Sequence, residues 1–153
     1  MDLKLRAEDA EDLKIMSAHL QDALVRVGDI AYLARKHRLM ISLNRFCWEA
    51  EPAKLGGKTT YSRVTAGLHF EGVLSVKVRG MDRENVEGLL YLLAIEPRIE
   101  GDGSGEIELV FAGGASIVAK VECVEAALAD IGEPWLTDIR PRHEDREPAA
   151  GPR

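Results

Sequence analysis

Between Thr59 and Gly80 the chain alternates apolar and polar positions with a period of two. Val64, Ala66, Leu68 and Phe70 interleave with Arg63, Thr65, Gly67 and His69, and Leu74, Val76 and Val78 interleave with Ser75, Lys77 and Arg79. Each run is the signature of a strand with one face buried. Glu71-Gly72 separates them, and a glycine there supplies the positive φ of a tight turn. The pattern predicts a β-hairpin, and around it an antiparallel fold.

The flanking segments are read in the same way. Residues 3–7 (LKLRA) predict a short strand. Asp9 and Asp12 then place carboxylates at a helix N-terminus, and Leu13, Met16, Leu20 and Ala23 recur at helical spacing. From Leu24 the period returns to two, predicting a strand to Leu33 with a bulge near Gly28-Asp29. A further strand is predicted over Arg38–Trp48, with Leu39, Ile41 and Leu43 on one face and Ser42, Asn44, Phe46 and Trp48 on the other. Glu49–Lys58 reads as a loop.

Leu89–Ile95 is continuously apolar and suits a strand covered on both faces, a buried helical segment being the alternative; Pro97 is expected to end either. Glu100–Gly105 is a turn. Strands follow with Ile107, Leu109 and Phe111 facing inward, then a hairpin turn at Gly113-Gly114 and a strand over Ala115–Val121. A second helix is expected over Glu122–Ile131, its stripe made of Val124, Ala127, Leu128 and Ile131, with Gly132 and Pro134 as its stop. Trp135 and Leu136 are expected to fold back as a plug.

The order predicts an α+β chain that is mainly antiparallel β. About seven strands form a barrel or rolled sheet closed by the C-terminal helix, as in pleckstrin-homology-like barrels, with the first strand and helix added outside. A two-layer α+β sandwich is the alternative. Residues 1–140 are expected to form one globular domain. Residues 141–153 carry almost nothing to bury and read as a disordered tail.

Composition narrows the function classes. The chain has 153 residues, 46% of them hydrophobic, and a formal charge of −6. That charge disfavours nucleic acid and anionic membrane as partners, since both select clustered Lys and Arg. The N-terminus is acidic and lacks a long apolar run, and Cys47 and Cys123 lie far apart. These features point to the cytoplasm and to two reduced, buried thiols.

Several stretches carry a family resemblance: LKLRAEDAEDL and SAHLQDAL near the start, LNRFCWE, LHFEGVLSVKVRGMD, and FAGGASIVAKVECVEAALADIGEPW. In these the chain resembles a family of small alphaproteobacterial proteins known only as a domain of unknown function. The resemblance covers nearly all of Asp2–His143. It implies a bacterial cytoplasmic protein, often encoded beside histidinol dehydrogenase, and supplies no catalytic residues.

No reaction signature emerges from the residues themselves. His19, His37, His69 and His143 lack metal-ligand spacing, so no metal or other cofactor is expected. The glycines at 56–57 and 101–105 fit neither a P-loop nor a dinucleotide fingerprint. Ser62, Ser75 and Ser116 lack a nucleophile elbow. Cys47 has Arg45 two residues away, and an inert thiol is the expectation.

One constellation remains. Asn44, Phe46 and Trp48 on one strand and Arg63, Thr65 and His69 on the next are expected on a common outer surface, a mixture of aromatic and cationic groups suited to recognition. The plainer reading makes Phe46 and Trp48 the dock for the N-terminal helix. Two functions follow. The first is a non-catalytic binding or regulatory module whose partner is another protein. The second is a small-ligand-binding barrel or small enzyme with a site assembled in three dimensions, from Arg45, Arg63, His69 and a carboxylate.

Overall fold

The computed structural model describes residues 2–50 and 53–137, with the side chains of 53–55 and 58 left aside. The elements are β1 (Lys4–Ala7), α1 (Ala10–Leu20), β2 (Leu24–Leu33), β3 (Arg38–Phe46), β4 (Ala53–Leu55), β5 (Lys58–Phe70), β6 (Val73–Arg79), β7 (Leu89–Ile99), β8 (Gly105–Phe111), β9 (Ser116–Val121) and β10 (Ala126–Thr137). Nine strands follow one antiparallel path, β1-β10-β5-β3-β2-β7-β8-β9-β6, and β4 pairs with β5 alone. The expected tail, 141–153, lies outside the described residues.

The path ends at β1 and β6, so the sheet is open and the expected barrel closure is absent from the described residues. It still encloses a core. Ala7, Val25, Leu39, Leu68, Val73, Leu92, Leu109, Ile117 and Leu128, from nine different strands, belong to one buried cluster. A sheet whose two ends share a core has to curl, as a twisted sheet of this size tends to do.

The expected hairpin is corrected. Gly72 does turn the chain, at φ +66°. The strands on either side of it separate, however: β5 pairs with β3 and β10, whereas β6 pairs with β9. The corner is held by its surroundings, with the Glu71 amide on the Glu125 carbonyl at 2.8 Å and the Glu122 amide on the Gly72 carbonyl at 3.0 Å. The β5–β6 and β9–β10 corners therefore cross side by side, and this crossing bends the sheet over its core.

The C-terminal helix is also corrected. Ala126–Thr137 is a strand, placed between β1 and β5. Val124, Ala126 and Leu128 are buried at a period of two, which the small Ala127 and Ala129 on the other face disguised as a helical stripe. Gly132 and Pro134 lie where the β10–β5 register slips between Ile131 and Trp135, in a bulge instead of a helix stop. Trp135 and Leu136 plug nothing and are exposed.

Helix α1 forms where expected. Asp9 caps it by accepting from the Asp12 amide at 2.8 Å, and the Asp12 carboxylate accepts from the Glu8 amide at 2.9 Å. It is no outside addition, because Leu13, Met16 and Leu20 are fully buried in the common core. Ser17 Oγ accepts from the Ile95 amide at 2.9 Å and ties the helix to β7. Strand β7 also runs past Pro97, which pairs in register with Ile107.

Candidate functional site

On β3 and β5 the alternation sends one set of side chains into the core and the other outward. Phe46 and Arg63 are register partners, as are Asn44 and Thr65. The Arg63 guanidinium carbon lies 4.1 Å from the centroid of the Phe46 ring, a cation–π stack with both residues buried. Its Nη2 donates to the Asn44 carbonyl at 3.1 Å, and the Thr65 hydroxyl donates to the Asn44 side-chain oxygen at 3.0 Å. Burial lowers the Arg63 pKa, opposed by the nearby Tyr91 and Asp22.

Trp48 extends the cluster, its ring 5.9 Å from that of Phe46 and tilted by 54°. Its Nε1 donates to the Gln21 carbonyl at 3.1 Å, at the C-terminal cap of α1. Trp48 therefore touches the helix end, while the apolar stripe of α1 faces the core and not Phe46. Of the five expected residues, Asn44, Phe46, Trp48 and Arg63 come together. His69 does not. It lies six residues along β5 from Arg63, about 20 Å away, and its Nδ1 is 2.7 Å from Glu71. Glu71 also accepts from Arg38 at 2.8 Å. Burial raises the Glu71 pKa, and the bonds from Arg38 and His69 overcome this and hold it low.

Two neighbours of this surface carried no sequence signal. Asp22 is buried, sits at φ +65° after α1 and contributes to the field at Arg63. Next to Asn44, β2 takes five steps from Val25 to Ile30 while β3 takes two from Leu43 to Ile41. This bulge opens a hollow of about 190 Å³ lined by Leu24, Arg26, Asp29, Ser42, Leu43, Asn44 and Leu89. Arg26 braces it, donating to Asp29 at 3.0 and 3.2 Å and to Glu87 at 3.1 Å. Gly28 lets the bulge approach the next loop, since a Cβ there would lie 3.0 Å from the Val86 carbonyl oxygen.

Arg45 occupies the opposite face. It is fully buried on the core side of β3, next to Val64, and all its polar hydrogens have acceptors in Asp130, Glu49 and the Phe46 carbonyl. Burial alone would pull the cation down; the bonds from the two carboxylates reverse this and keep it charged. An arginine so saturated has no donor left for a ligand, so Arg45 does not join Arg63 in a site. Cys47 is half-buried, and burial pushes its thiol pKa up, more than Arg45 lowers it. Cys123, expected to be buried, is exposed. Among the described residues no three His, Cys, Asp or Glu side chains gather as metal ligands.

The outer face of β1, β10, β5 and β3 thus carries a buried Phe46–Arg63 stack at one end, with Trp135 and Ile131 exposed beside it and Met40 exposed at the other end, next to His69. Met40 is 41% exposed, Ile131 56% and Trp135, the β10 partner of Arg63, 42%. A family model described as protein of unknown function (DUF2948) matches residues 3–143. No curated protein and no solved structure matches the chain.

Proposed function

We propose that this chain, which belongs to the DUF2948 family of proteins of unknown function, is a non-catalytic protein-binding module that works in the cytoplasm through the outer face of β3, β5 and β10. The observation that carries the reading is the exposure of Trp135 and Ile131 beside the buried Phe46–Arg63 stack, with Met40 exposed further along the same face, next to His69. Interface anchors are enriched in Trp and Arg held by dense packing, because such groups desolvate at small entropic cost. Arg45, which is fully buried, is spent on the carboxylates of Glu49 and Asp130.

The test is purification of the full chain from its native cell beside a Met40→Ser/Trp135→Ser variant and a Leu74→Ser control, Leu74 being exposed on β6. A protein bound in stoichiometric amount should accompany the native chain and the control and be lost from the double variant. Equal recovery by all three overturns the reading.

The hollow beside Asn44 supports a second reading, a small ligand held between Ser42, Asn44 and the leucines. Its volume is below the 300–1,000 Å³ usual for ligand sites. A metabolite that co-purifies with the native chain and is lost from Ser42→Leu would favour this reading.

A further inference from the structure

No further inference is drawn: the strongest candidate, the low stretch of the outer sheet face between Met40 and Ile131, carries nothing because its cations Lys4 and Arg6 alternate with the exposed Asp2 and Glu8 and lie near the exposed Glu125, and nothing in the structure shows what covers it.

Discussion

Arg45 and Asp130 form a two-point ion pair across the width of β5: Nε and Nη2 of the arginine donate to the two carboxylate oxygens, each at 2.8 Å. The side chains are 0% and 4% exposed. Asp130 also accepts from the Leu3 amide at 2.9 Å, so one buried contact joins β3, β10 and the start of β1. Glu49 completes the arginine's bonds from the strand end.

Removing one member of such a pair strands the other without water. Arg45→Met alone should cost about 3–5 kcal/mol, and Asp130→Leu alone a similar amount. The double variant should recover a large part of that loss, because Glu49 is 44% exposed and can be solvated by itself. Urea melts of the three variants decide it. Additive losses would mean that the two residues do not act as a pair.

The pair also sets an acid limit. Burial raises the Asp130 pKa, but the bonds from Arg45 and the Leu3 amide outweigh it and the net shift is downward. Glu49 is lowered first by its bond to Arg45. A carboxyl with a folded pKa below its unfolded value stabilises fully above the unfolded value, about 3.9 for Asp and 4.3 for Glu. That stabilisation is lost as pH falls through the folded values. Urea midpoints should therefore be flat near neutrality and fall steadily below about pH 5. In Asp130→Asn the fall should be shallower, and an unchanged slope would remove Asp130 from the acid response.

Parts of this architecture are legible in the residues, and the limits have physical causes. Strands β3 and β5 show because bulky residues such as Leu39, Ile41, Leu68 and Phe70 alternate with polar ones. Their adjacency is enough to bring Asn44, Phe46 and Arg63 together. The pairing of β6 with β9 is not legible, because a turn at Gly72 has the same sequence whether the strands beyond it meet or part. Strand β10 was hidden by its alanines, which satisfy a period of 3.6 as well as one of two. Losing β10 also lost Asp130, whose contact with Arg45 depends on a register that only the folded sheet defines.

Leu128 gives a direct measure of β10 as a core strand. It is 1% exposed and pairs in register with Leu5 on one side and Leu68 on the other. Leu128→Ala should cost about 2–5 kcal/mol, the range for a buried leucine that leaves a partial cavity. Leu136→Ala, on the same strand but 52% exposed, should cost well under about 1 kcal/mol. Similar urea midpoints for the two variants would contradict the burial of β10.

The Phe46–Arg63 stack should be strongly coupled. A guanidinium over a ring in water gains about 0.5–1 kcal/mol, and a desolvated one about 2 or more. Here Phe46 is 4% and Arg63 8% exposed, so the desolvated limit applies. The cycle of Phe46→Leu, Arg63→Gln and the double variant isolates that interaction, since leucine keeps the apolar packing and glutamine can still donate to the Asn44 carbonyl. The expected coupling is about 2 kcal/mol from urea melts, and it should survive added salt, because screening reaches buried pairs weakly. Coupling below about 0.5 kcal/mol would mean that the ring and the guanidinium are merely adjacent. The outer face would then have no rigid centre, and the proposed protein-binding reading would lose its main support.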